Sequence, residues 1–193
     1  MQVLAGTARG VPLKTVSDMN TRPILDRIKK SLFSILETST LILDARVADF
    51  YAGTGTQGIE ALSRGAEFCM FVEKRTDAVK LLNENLEKTK LAKQALVHCA
   101  SVTPIIASLL RQQEPPRFDL ILYDPPFSFS REDASRVATE SEMSLAGKLL
   151  YEGHARLVLR CQRSVEAPQP TGLALVRQWS DGPHAFLLYS RKD

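Results

Sequence analysis

The residues best placed to do chemistry are three carboxylates, Asp49, Glu73 and Asp124, each at the end of an apolar run. The first run, Ala45 to Phe50, reads as a buried strand. It breaks into Tyr51-Ala52-Gly53-Thr54-Gly55-Thr56-Gln57-Gly58, where a helical pattern begins. Gly53, Gly55 and Gly58 have the G-x-G-x-x-G spacing. That spacing permits special dihedrals, lets a ligand reach main-chain N–H groups and brings the helix close to the sheet. Alone it suits a dinucleotide or S-adenosylmethionine equally, and a tight turn without a ligand would use the same glycines. Asp49 separates the two ligands: it repels a phosphate and holds an ammonium group, which favours S-adenosylmethionine over a nicotinamide dinucleotide. Glu73 ends the next run, Phe68 to Val72, 24 residues after Asp49. A carboxylate there can accept both hydroxyls of a ribose, or it is simply a solvated strand end.

Asp124 opens Asp124-Pro125-Pro126-Phe127, directly after Phe118-Asp119-Leu120-Ile121-Leu122-Tyr123. The prolines fix the backbone and remove two donors, leaving the Asp124 carboxylate and the Pro125 carbonyl as rigid acceptors. Such a pair fits an –NH2 group. The exocyclic amine of a base is a poor nucleophile because its lone pair is delocalised into the ring. Two acceptors gripping its hydrogens favour pyramidalisation and aim the lone pair at a methyl donor. Phe127 can stack on the base, worth about 1–3 kcal/mol against the cost of flipping that base out.

Alternating strands and helices must position these groups. A helix from Thr56 to Arg64, capped by Gly65, precedes the strand Phe68 to Glu73. A helix from Thr76 to about Lys90, a strand from Ala95 to Cys99, a helix from Pro104 to Arg111 and the strand Phe118 to Tyr123 follow. Glu132 to Leu150 is largely helical and Ala155 to Arg160 is a strand. Leu173 to Trp179 and Ala185 to Ser190 form a closing antiparallel hairpin around Asp181-Gly182-Pro183. The pattern predicts an α/β fold with a mostly parallel sheet, helices on both faces and ligands beyond the carboxyl ends of the strands. In front, Gln2 to Ala5 and Val11 to Thr15 read as a small β-hairpin. Thr21 is a candidate N-cap and Pro23 suits a first helical turn. Ile24, Ile28, Leu32, Ile35 and Leu36 then form an apolar stripe, with Arg27, Lys29 and Lys30 off it. The expected organisation is a hairpin extension over residues 1–20 and a single domain over 21–193.

At 193 residues, 44% hydrophobic and 24% charged, the chain is the size and composition of one globular domain. Cys69, Cys99 and Cys161 are far apart, with no C-x-x-C and no His at metal-ligand spacing, so buried thiols are expected and no metal site. His98, His154 and His184 read as structural. No basic region leads into a long apolar core, and no run approaches the ~18 apolar residues of a membrane span, which reads as cytoplasmic. The net charge is +3, of which residues 1–36 carry +4 (Arg9, Lys14, Arg22, Arg27, Lys29 and Lys30 against Asp18 and Asp26). A front segment of that sign suits a polyanion.

Together these stretches resemble the class I S-adenosylmethionine-dependent methyltransferases with an Asn/Asp-Pro-Pro-aromatic motif. Most closely they resemble the bacterial 16S ribosomal RNA guanine-N2 methyltransferases of the guanine 966 type. The resemblance rests on Val3 to Gly10, Thr21-Arg22-Pro23 with Asp26-Arg27, Asp49 to Ala66, Phe71-Val72-Glu73 and Asp119 to Ile121 with Asp124 to Phe127. It is thin after Leu150. It implies a Rossmann-like domain with a seven-stranded sheet, monomeric, in which Asp49, Tyr51, Ala52, Gly53, Thr54 and Gly55 bind the methionine part of S-adenosylmethionine. It further implies Glu73, Lys74 and Ser101 on its adenosine, Asp124, Pro125, Pro126 and Phe127 on the target guanine, and Arg9, Arg22 and Arg27 on small-subunit RNA. Two positions depart from the family. Ala100 stands where an acidic or amide residue usually meets the adenine amine, and Phe127 where Tyr is common.

The nearest rival keeps the chemistry and changes the amine, to adenine N6 of DNA or glutamine N5 of a protein. The basic front segment disfavours glutamine, and no separate target-recognition domain is visible for DNA. A non-catalytic S-adenosylmethionine-binding protein is a rival of another class, disfavoured by the intact Asp124 motif.

Overall fold

The computed structural model describes residues 1–16, 26–39, 41–125, 133–164 and 166–192. Thr21, Arg22, Pro23, Ile24, Pro126, Phe127 and Glu132 lie outside the described residues. The helices are α1 (Asp26–Thr38), α2 (Thr56–Ser63), α3 (Thr76–Thr89), α4 (Val102–Leu110) and α5 (Asp133–Gly147). The strands are β1 (Arg46–Phe50), β2 (Phe68–Glu73), β3 (Ala95–Cys99), β4 (Leu120–Tyr123), β5 (Arg156–Gln162), β6 (Leu173–Asp181) and β7 (His184–Arg191). They form one seven-stranded sheet in the order β3-β2-β1-β4-β5-β7-β6. β1 to β5 are parallel, and β7 lies antiparallel between β5 and β6. The parallel frame and the antiparallel C-terminal hairpin are therefore as the sequence pattern implied, and the Rossmann-like seven-stranded sheet is as the resemblance implied.

Strand alternation gives the sheet two apolar faces. Val47, Leu120, Leu122 and Val158 pack with Leu32 of α1, Ile59 of α2 and Leu82 of α3. Ala48, Phe50, Ile121, Tyr123 and Leu157 pack with Ile106 of α4 and Met143 of α5. α4 begins at Val102, ahead of the expected Pro104, because a proline in the first helical turn forfeits no intrahelical bond. No helix among the described residues is long and apolar enough to cross a membrane.

The front of the chain differs from expectation. Instead of two strands it shows a single antiparallel bridge, Gln2 to Pro12, with Val3 N–H donating to Val11 O at 3.0 Å. Pro12 has no N–H to extend a ladder, and α2 takes the neighbouring amides. Leu4 and Ala5 N–H donate to the Glu60 carboxylate at 2.8 and 3.1 Å, and Ala8 N–H donates to Ser63 Oγ at 2.9 Å.

Lys29, expected on the solvent side of α1, is fully buried. Its ammonium donates to Gln2 O at 2.7 Å and pairs with Glu60 at 2.9 Å. Arg64, its side chain buried, meets the other Glu60 oxygen at 2.8 Å and stacks over Phe33. Cys69 and Cys161 are buried as expected, but Cys99 is exposed, because β3 is the sheet edge.

Removing Glu60 leaves Lys29 buried without its counter-ion. Glu60→Ala is therefore expected to cost about 3–5 kcal/mol. Thermal unfolding followed by circular dichroism should show the midpoint falling by about 6–20 degrees.

Candidate active site

Phe50 of β1 pairs with Val72 of β2 on one side and Tyr123 of β4 on the other. That register sets Glu73 and Asp124 on either side of Tyr51, at the carboxyl end of the parallel strands, with Asp49 just behind in the middle strand. The three sequence-predicted carboxylates thus meet at one sheet edge. The chain leaves this edge through Tyr51, with φ 64°, and Gly55, with φ 79°, into α2. A Cβ at Gly55 would also lie 2.1 Å from Leu82 of α3, so only glycine fits there. At Gly53 the opposite holds: a Cβ would meet nothing within 4 Å, so the turn presents open backbone.

Asp49 is buried, with Oδ2 accepting Gly58 N–H at 2.9 Å and Oδ1 without a hydrogen-bond partner. Burial, with the charges of Asp124 and Glu73 adding to it, pushes its carboxyl up to about 8, although the Gly58 amide pulls the other way. A buried acceptor left open on a carboxylate calls for a donor, and a cation most of all. Glu73 accepts Gly53 N–H at 2.9 Å through Oε2 and Arg75 N–H at 2.8 Å through Oε1. Each oxygen keeps a second lone pair, enough for a vicinal diol.

Asp124 is gripped from two elements. Arg160 of β5 donates Nε–H to Oδ1 at 2.7 Å, and Gln57 of α2 donates from Nε2 to Oδ2 at 2.7 Å. Neither partner was singled out from sequence. Arg160 carries a usable signal, a lone charge in the apolar run Leu157 to Cys161. Finding its partner requires knowing that Tyr123 aligns with Leu159, which puts Arg160 beside Asp124. Gln57 stands in the first turn of the helix that the glycine motif begins.

A second cluster supports the same edge from the other face. Glu142 of α5 accepts Tyr51 Oη–H at 2.6 Å and also takes the hydroxyls of Tyr123 and Thr103. Burial and that carboxylate raise both phenols above the ordinary tyrosine range. The two rings meet edge to face at 5.5 Å. Tyr51 is thereby tied to the residue before Asp124, a link no sequence spacing discloses.

The remaining predicted residues are placed as follows. Ala52 N–H donates to Val72 O at 3.1 Å, and Thr54 O accepts from buried Asn85 of α3 at 3.0 Å. Lys74 is exposed beside Glu73, and exposed Ser101 begins α4 where Ala100 N–H donates to Glu73 O. Arg9 is exposed but distant. It follows the amides bonded to Ser63 at the far end of α2, an eight-residue helix and so about 12 Å long. Arg27 pairs with Asp181 at 2.7 Å, and Lys14 with Glu84 at 2.6 Å. Asp119 serves the strand entry, accepting Arg46 N–H at 2.9 Å and meeting His154 at 3.0 Å.

Because the folded state raises the Asp49 carboxyl, it holds a proton that the unfolded chain releases. The stability from that proton is complete below about pH 4 and lost as pH rises through about 8. In the ligand-free protein Asp49→Asn should therefore raise the melting temperature, and by more at pH 9 than at pH 5. Equal gains at the two pH values would contradict this.

The chain is 30% identical to a hypothetical protein of Thermus thermophilus of known structure, with a TM-score of 0.80, covering 98% of this chain and 99% of that one. It is 27% identical to ribosomal RNA small subunit methyltransferase D of Haemophilus influenzae, over 98% of this chain and 93% of that protein. The protein of the same name from Escherichia coli K12 is 28% identical, over 100% and 90%. The family model described as Conserved hypothetical protein 95 matches residues 1–190, and the chain belongs to that family.

Proposed function

We propose that this chain is an S-adenosylmethionine-dependent methyltransferase acting on the exocyclic N2 amine of a guanine in small-subunit ribosomal RNA, guanine 966 of the 16S molecule being its target. The names of the relatives in Haemophilus and Escherichia support the substrate class. The observation that carries the reading is the meeting of the glycine turn and Asp124 at neighbouring strand ends, joined by Gln57.

The cofactor fits the groups present. Asp49 Oδ1 is an open, buried acceptor for its ammonium, the backbone at Gly53 is unobstructed, and Glu73 has lone pairs to spare for the ribose. Tyr51, Ala52, Thr54 and Gly55 complete the wall around the methionine part, with Lys74 and Ser101 on the adenosine side. Ala100 has no side-chain acceptor, so adenine is left to Ser101, the backbone or water. When bound, S-adenosylmethionine supplies an electrophilic methyl on a sulfonium, whose C–S bond breaks as the N–C bond forms.

The chain's own part is orientation. The Asp124 carboxylate and Pro125 carbonyl accept the two hydrogens of the amine and turn its lone pair toward the cofactor pocket. The amine proton then leaves to solvent. Phe127 stacks on the flipped guanine. Residues 1–20 act as an RNA-contacting extension of the domain formed by 21–193, with Arg9, Arg22 and Arg27 toward RNA, and the enzyme acts as a monomer in the cytoplasm. RNA competing for Arg27 would have to displace Asp181, which makes that contact salt-sensitive.

The test is transfer of labelled methyl to small-subunit RNA, protein-free and in partly assembled particles, followed by digestion to nucleosides. Label is expected in N2-methylguanosine, and Asp124→Ala should lower kcat about a hundredfold or more, the scale for removing one positioned polar group. Label confined to adenosine, to protein or to nothing would refute the assignment.

A further inference from the structure

Arg160 and Gln57 use one oxygen each of Asp124, at 2.7 Å in both cases. Two donors on opposite oxygens, one from β5 and one from α2, fix the plane of a carboxylate that a single bond would leave free to rotate about χ2. The Arg160 and Asp124 side chains are only 8% and 11% exposed, so little water competes for either. Each oxygen keeps a second lone pair, and its direction is set by the first bond.

The charge matters as much as the geometry. Asp124 shares its strand edge with the carboxylates of Asp49 on β1 and Glu73 on β2, and the charge of Asp124 contributes to the raised Asp49 carboxyl. Among the described residues, the cation directly paired with Asp124 is Arg160, and Gln57 is its neutral contact from α2. A cation on Asp124 offsets the repulsion among the three carboxyl groups, and its hydrogen bond leaves a lone pair of Oδ1 free to accept. Strand packing alone does not call for an arginine here, since Val158, two residues earlier on the same face of β5, lies in the apolar core.

We propose that Arg160 and Gln57 are positioning residues for the amine: each holds one oxygen of Asp124, one from β5 and one from the helix that starts at the glycine turn, and together they fix the plane in which its free lone pairs accept. This rests on Asp124 being the amine's acceptor, as set out above. It goes further in assigning the orientation of that acceptor to Arg160, outside both motifs, and to Gln57. It also gives the glycine turn a direct mechanical link to the substrate side, through a helix position one residue after Thr56.

The experiment compares the full-length wild type with Arg160→Met, Arg160→Lys and Gln57→Leu, using small-subunit RNA and S-adenosylmethionine. Arg160→Met and Gln57→Leu should each lower kcat about tenfold or more while leaving KM for S-adenosylmethionine and RNA within about twofold of wild type, because the acceptor is misaimed and not removed. Arg160→Lys should recover kcat only in part, because a single ammonium replaces the rigid guanidinium fork. Wild-type kcat in Arg160→Met, or in Gln57→Leu, would overturn the proposal. Should Arg160→Met not fold, wild-type kcat in Arg160→Lys would overturn it equally. Crystal structures of the ligand-free wild type and Gln57→Leu separate this from the functional assignment. An Asp124 carboxylate rotated out of its wild-type plane supports the proposal even if the wild type methylates no RNA, and an unchanged plane refutes it.

Discussion

Three carboxylates on adjacent strand ends repel one another, and the carboxyl edge of the sheet is built to hold them there. Each has donors of its own: Gly58 N–H for Asp49, Gly53 and Arg75 N–H for Glu73, Arg160 and Gln57 for Asp124. Most of those donors belong to the glycine turn or to the helix it starts. The turn and its helix therefore present open backbone and supply donors to all three acidic groups. Asp49 is the least satisfied member, with one oxygen lacking a partner and its carboxyl raised. That unmet demand points to a cationic ligand group more directly than any motif.

Because α2 carries so many of these contacts, its position matters. It is held at its far end by the first residues of the chain, through Glu60, Ser63 and the buried Lys29. Asn85 adds a tie, accepting Lys14 N–H at 2.8 Å and donating to Thr54 O in the turn itself. The front segment is thus part of the scaffold behind the glycine turn. On the opposite face Glu142 joins Tyr51 to Tyr123. The site is braced from both sides of the sheet.

Much of this was legible in the sequence, for identifiable reasons. The glycine turn could be read because its backbone angles exclude most other residues, and the strand at Asp124 because prolines cannot continue a ladder. The strand-helix alternation foretold the parallel sheet and the antiparallel ending. What could not be read depended on which distant residues become neighbours. Arg160 gains its meaning from β5 lying beside β4, a pairing absent from local pattern. Lys29 looked solvated by helical spacing, yet Glu60, 31 residues on, draws it inside. The supposed hairpin at Gln2 to Thr15 had the right alternation, but the N–H groups of Leu4, Ala5 and Ala8 bond side chains of α2 and not a partner strand.

The central claim, that these carboxylates form one cofactor and substrate edge, is tested most directly by a crystal structure of the protein with S-adenosylhomocysteine. The expected result is its amino group within hydrogen-bond distance of Asp49 Oδ1, its ribose hydroxyls on Glu73 and its sulfur facing Asp124. Density for the ligand elsewhere, or no binding at saturating concentration, would contradict the account.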